Sequence, residues 1–149
     1  AQRGGKTWMT QPLGGGRVAN YTWGDAIGQA RRMATYLQAQ GYEPGSKIAI
    51  VSKNCAHFMM AELAIWMAGY VTVAIYPTVN ADTARYVLDH SDAKLLFVGK
   101  LDVWDEIKPG VPESMPKVAF PLLLPRAMMV AAFPDSRPWW LQQHCLGLH

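Results

Sequence analysis

The chain has 149 residues, half of them apolar and 17% charged, with a net charge of +3. This is enough for one domain with a core of its own, and the low charge suits equally a piece that packs against more protein and a merely apolar small domain. The basic excess gathers at Arg3, Lys6, Arg17, Arg31 and Arg32 without forming a run or interleaving with aromatics, which argues against nucleic acid as a partner.

Two short strands are predicted first, at residues 7–10 and 17–20, around Gly14-Gly15-Gly16. A triple glycine also suits a phosphate cradle. That use needs a buried strand before it and a helix directly after it, so the hairpin turn is the better reading. Thr22 then starts a helix, with Asp25 completing a capping box. Ile27, Ala30, Met33, Ala34 and Leu37 recur on one face, and Gly41 ends the helix. Glu43-Pro44-Gly45 turns the chain into a buried strand at 47–52. Asn54 is read as the cap of the next helix, which runs to Gly69 and is apolar almost all round, so both of its sides call for cover. A β-branched run at 71–76 reads as another buried strand. A shorter helix at 82–88, a strand at 94–98, a short helix at 101–107 and a strand from Val118 complete the series.

Strands alternating with helices at this spacing predict an α/β fold: a partial doubly wound parallel sheet with helices on both faces. Ligands of such sheets bind beyond the carboxyl ends of the strands. The loops there are Ser52-Lys53-Asn54, Pro77-Thr78-Val79-Asn80 and Gly99-Lys100, and none has the form of a phosphate loop. Residues 56–76 are long and apolar enough to imitate a membrane span. Glu62 in the middle, the break at Gly69-Tyr70 and the strand-like second half argue against one.

Cys55 and Cys145 stand far apart and in no metal or redox spacing, and there is no apolar signal core at the N-terminus, so a reduced, cytoplasmic setting is expected. The chain does not begin with Met, which leaves room for an upstream segment. Cys55, beside a helix start, is weighed as a reactive thiol and read instead as a small buried residue. Lys53 and Lys100 are read as solvated rather than as anion contacts. His90 suits a helix C-terminus. His144, Cys145 and His149 lie close in sequence but lack a fourth zinc ligand.

Several segments together carry a resemblance. Tyr21-Thr22-Trp23-Gly24-Asp25, residues 41–50, residues 54–70 and Ile75-Tyr76-Pro77-Thr78 stand in the order found in AMP-binding, adenylate-forming enzymes. Residues 82–100 match a further unit of that family closely. The chain most resembles the N-terminal part of bacterial long-chain fatty acyl-CoA synthetases, and Trp104 and Lys108-Pro109-Gly110-Val111-Pro112 fit that subgroup. His57, where the family often has an acidic residue, and Ala74, where it often has proline, depart from the pattern. His57 is placed at the third helical position, where it loses half of a capping box.

The resemblance implies a two-step ligase. ATP activates a fatty acid to an acyl-adenylate, and the acyl group then passes to coenzyme A, with magnesium as the metal. The family's phosphate loop, adenine motif, ribose-binding aspartate and C-terminal lysine have no counterpart in these residues. No catalytic, cofactor-binding or metal-binding residue is therefore carried onto this chain. The expected organisation is a lead-in hairpin at 1–20, the N-terminal portion of an AMP-binding domain at 21–121, truncated, and a non-matching tail at 122–149. Past Leu122 the only charges are Arg126, Asp135 and Arg137. Such a tail is expected either from a shifted reading frame near residue 121 or from a divergent end that covers the sheet. The functional expectation is an N-terminal fragment of a long-chain fatty acid–CoA ligase, inactive alone and binding no cofactor by itself. Its expected partner is the remainder of the enzyme, or a second chain at the open sheet edge. The alternatives are a small α/β protein-interaction module and a small nucleotide-binding protein. The last would need a glycine-rich strand-to-helix turn that Ser52-Lys53-Asn54-Cys55 is not.

Overall fold

The computed structural model describes residues 3–99 and 101–120. It opens on an antiparallel hairpin, β1 (Thr7–Gly14) and β2 (Arg17–Thr22). Gly14, Gly15 and Gly16 have φ of 87°, 61° and 75°, the left-handed backbone that a tight hairpin turn needs and glycine adopts without strain. The triple glycine is therefore a turn, and the strands run longer than the sequence pattern indicates.

Thr22 ends β2 and begins α1 (Trp23–Ala39) without a linker. The predicted capping box is present: Asp25 N–H donates to Thr22 Oγ1 at 3.1 Å, and Thr22 N–H donates to Asp25 Oδ2 at 3.3 Å. Ala26, Ala30, Met33, Ala34 and Leu37 form the buried stripe, with Ala26 in place of the expected Ile27, which is only half-buried. Gly41, at φ 74°, turns the chain out of the helix.

Four parallel strands follow: β3 (Lys47–Val51), β4 (Val71–Ile75), β5 (Leu95–Val98) and β6 (Lys117–Ala119), lying side by side as β4-β3-β5-β6. Between them run α2 (Ala56–Met67), α3 (Ala81–Ser91) and α4 (Trp104–Ile107), the last extended by a 3-10 turn at Lys108–Gly110. Alternate strand residues feed two separate cores. Ile48, Ile50, Leu95, Phe97 and Val118 pack with α1 and α2, whereas Ala49, Val51, Leu96, Val98 and Ala119 pack with α3 and α4. Both faces are thus covered, and β3 and β5 are buried as near-continuous apolar runs. Asn80 caps α3 by accepting from Thr83 N–H at 2.9 Å.

Three expectations are corrected. The cap of α2 is Cys55, not Asn54, and no side chain of its own loop bonds the helix start. His57 is accordingly the second helical residue, and it is buried. Among the described residues the strand at 71–76 is not covered on both sides: β4 lies at the sheet edge, with Val71 47% exposed and, of its residues, Ile75 alone buried. One side of α2 packs on α1 and the sheet, while Met59, Trp66 and Met67 stay exposed on the other, so the uniform apolar character of α2 marks two apolar sides of which one is covered among the described residues.

Candidate functional site

The helix after β3 lies on one face of the sheet and the helix after β5 on the other. The point between the ends of these two adjacent strands is where a doubly wound sheet ordinarily opens a ligand crevice. Here it is closed. Ser52, directly after β3, is buried and donates from Oγ to Lys53 O at 2.7 Å. Gly99, directly after β5, donates its N–H to Val51 O at 2.9 Å and lies so close that a Cβ on it would collide with Ser52 Oγ and stand 2.5 Å from Phe120 Cδ2. Phe120 is fully buried beside them.

Above this plug, Lys53 Nζ and Asp102 form an ion pair across the two loops. Lys53 is thus partnered rather than merely solvated. Cys55 is half-buried, less covered than its sequence reading, with Sγ 3.7 Å from Ser52 Oγ. Lys100, His144, Cys145 and His149 lie outside the described residues. Among the described residues no three His, Cys, Asp or Glu side chains gather as a metal would require. At this crevice the described residues offer no glycine-rich strand-to-helix turn to cradle phosphate, and Lys53 is paired with Asp102.

His57 is the titratable group that sequence reading treated only as a lost cap. Its ring meets Tyr21 edge-on at 5.7 Å and Phe120 at 6.1 Å, joining the hairpin to the last strand. Burial lowers its pKa from 6.5 to about 4. The neighbouring Tyr21 phenol is pushed up, first by burial and then by Cys55. His90 sits in the last turn of α3, as expected, with its ring stacked on Tyr86 at 5.4 Å. A separate open groove of about 320 Å³ lies between β2 and α1, lined by Asn20, Tyr21, Gly24, Asp25, Gln29 and Arg32. Its lining is mostly polar and offers no acid–base pair within bonding distance.

A parallel sheet wound both ways from β3, with an antiparallel hairpin on its α1–α2 side, is the N-terminal subdomain of the adenylate-forming fold. A benzoate CoA ligase from Burkholderia xenovorans LB400 has this fold, with a TM-score of 0.72 at 21% identity over 92% of this chain and 27% of that one. The family model for AMP-binding enzymes matches residues 1–136, and the chain belongs to that family. The matched span includes residues 122–136, which the sequence reading sets outside the resemblance. Among curated relatives, the chain is 34% identical over 87 residues to the long-chain-fatty-acid–CoA ligase FadD15 of Mycobacterium bovis, covering 58% of this chain and 14% of the relative. It is 31% identical over 78 residues to the peroxisomal acetate/butyrate–CoA ligase AAE7 of Arabidopsis thaliana, covering 52% and 14%. The chain therefore spans a small part of the length of these relatives. No helix among the described residues is long and apolar enough to cross a membrane.

Proposed function

We propose that these residues serve as the N-terminal segment of an AMP-forming long-chain fatty acid–CoA ligase and do not catalyse by themselves. The observation that carries this reading is the crowded switch point: among the described residues, Ser52, Gly99 and Phe120 pack together where a self-sufficient nucleotide site of this topology would open. The family match supports the ligase class, and the similarity to FadD15 is in keeping with a long-chain acid. In this reading ATP, magnesium and coenzyme A are held by the rest of the enzyme, which is the partner of this segment, and the enzyme works in the cytoplasm. Residues 21–121 supply a scaffold, and the family match carries on to residue 136.

Two measurements test the reading. Calorimetry on the 149-residue chain with ATP, magnesium and a long-chain fatty acid is expected to show no binding heat. Joining the chain to the downstream part of a related long-chain ligase is expected to give fatty acid-dependent pyrophosphate release and acyl-CoA. Saturable ATP binding by the chain alone, or a folded hybrid that forms no acyl-adenylate, overturns it.

A further inference from the structure

We infer that this chain pairs with a second copy of itself through the edge of β4 and the side of α2 that the described residues leave uncovered. The inference is independent of the ligase reading. Val71 N–H donates to Ser46 O beside β3. Backbone groups alternate along a strand, so the N–H and C=O of Thr72 and Ala74 point away from β3 to the open edge. Val71–Ile75 carries no charge, no proline and no bulge, the devices by which natural edges avoid pairing.

The edge is complementary to itself. A two-fold axis through Val73 sets Thr72 of one copy against Ala74 of the other, and the same again in reverse. Each such pair exchanges two backbone hydrogen bonds in an antiparallel ladder. The axis stands normal to the sheet, so each face continues across the junction and the two α2 helices come side by side. This gives the exposed Met59, Trp66 and Met67 an apolar surface to meet. It also carries Tyr76, 79% exposed just past one end of β4, to the other copy's Val71 end, which follows the exposed Trp66 and Met67. A stable interface buries about 800 Å² per partner, more than a five-residue strand edge supplies, which is why the side of α2 must take part. No charged residue lies within Val71–Tyr76 to oppose the approach of two identical edges.

Sedimentation velocity and residue-resolved amide exchange on the 149-residue chain test this across a concentration series. A dimer is expected, with exchange at Thr72 and Ala74 slowing as the dimer forms. A74K places a charge on the exposed edge, and W66K tests the helix side independently; each is expected to weaken the dimer at least ten-fold. V18K, at a 53% exposed hairpin position away from this edge, is expected to leave it unchanged. Persistent slow exchange in the β3 and β5 amides shows that each variant is folded. A monomer at all concentrations overturns the inference, whether Thr72 and Ala74 exchange freely or are covered by another part of the same chain. Open-ended aggregation overturns the two-fold arrangement, as does a dimer that both A74K and W66K leave intact.

Discussion

Gln11, on the hairpin, caps a helix that starts 45 residues later: Ala56 N–H donates to Gln11 Oε1 at 2.9 Å. Cys55, at the cap position itself, makes no side-chain bond to the helix, so the acceptor for the first turn of α2 comes from β1. The contact ties the hairpin to the doubly wound sheet through one amide. Gln11→Ala is expected to cost about 1 kcal/mol, as lost caps do. Gln11→Glu keeps the acceptor at a helix N-terminus but loses the Nε2–H donated to Pro12 O at 3.1 Å, so it is expected to recover part of that loss. Urea unfolding of the three proteins checks both directions.

His57 gives stability a pH dependence of definite sign. Its folded pKa of about 4 lies below the 6.5 of the free side chain, so between these values the unfolded chain binds more protons. Stability is full above about pH 6.5 and falls as the pH drops toward 4. The loss is of order 3 kcal/mol, since each unit of difference is worth about 1.4 kcal/mol. The cause is burial, and a positive charge at the second position of α2 would also oppose the helix dipole. In His57→Gln the fall over this window is expected to flatten, which unfolding curves at pH 7, 5.5 and 4.5 will show. A parent protein equally stable at all three contradicts the assignment.

Thr72 Oγ1 is sealed from water and has no hydrogen-bond partner among the described residues. A buried hydroxyl left unpaired costs roughly 1–3 kcal/mol, while an apolar group of the same shape costs little. Thr72→Val keeps the β-branched outline that a strand prefers. It is expected to raise stability by about 1 kcal/mol, read as a higher urea midpoint at unchanged slope.

What was legible in the sequence was what is local. The Thr22–Asp25 capping box, the glycine turn, the α1 stripe and the alternation of strands with helices each depend on residues a few positions apart, and each is present. The errors share a different cause. Asn54 looked like the cap of α2 because the true acceptor, Gln11, is remote in sequence. The run at 71–76 looked buried because a β-branched apolar string does not reveal whether its strand lies at the centre or the edge of a sheet. At the switch point, the Ser52–Gly99 contact joins two loops that only the parallel pairing of β3 with β5 brings together. His57 carried a signal that went unused: a histidine in a helix start rich in apolar residues is placed for burial, and burial sets its pKa.

Gly99 and Gly110 both lack room for a side chain, but the obstacles differ. A Cβ on Gly99 would collide with Ser52 Oγ and stand 2.5 Å from Phe120 Cδ2, both side-chain atoms. A Cβ on Gly110 would collide with Ala81 O and stand 2.7 Å from its carbonyl carbon, which are backbone atoms at the first turn of α3. Ser52 Oγ and the Phe120 ring can rotate away at a cost of roughly 1–3 kcal/mol, which leaves the Ser52 Cβ contact, also 2.5 Å, for the loop to absorb, whereas moving Ala81 displaces a capped helix. Gly110→Ala is therefore expected to destabilise more than Gly99→Ala. Adding Ser52→Ala to Gly99→Ala removes the hydroxyl in its way and is expected to recover part of the loss, a coupling that neighbouring sites show and distant ones do not. The same Ser52→Ala change beside Gly110→Ala is expected to recover nothing. Urea unfolding of the two single glycine variants, Ser52→Ala and both doubles measures this directly. Equal recovery in the two pairs would mean that Ser52 does not close the end of the sheet against Gly99.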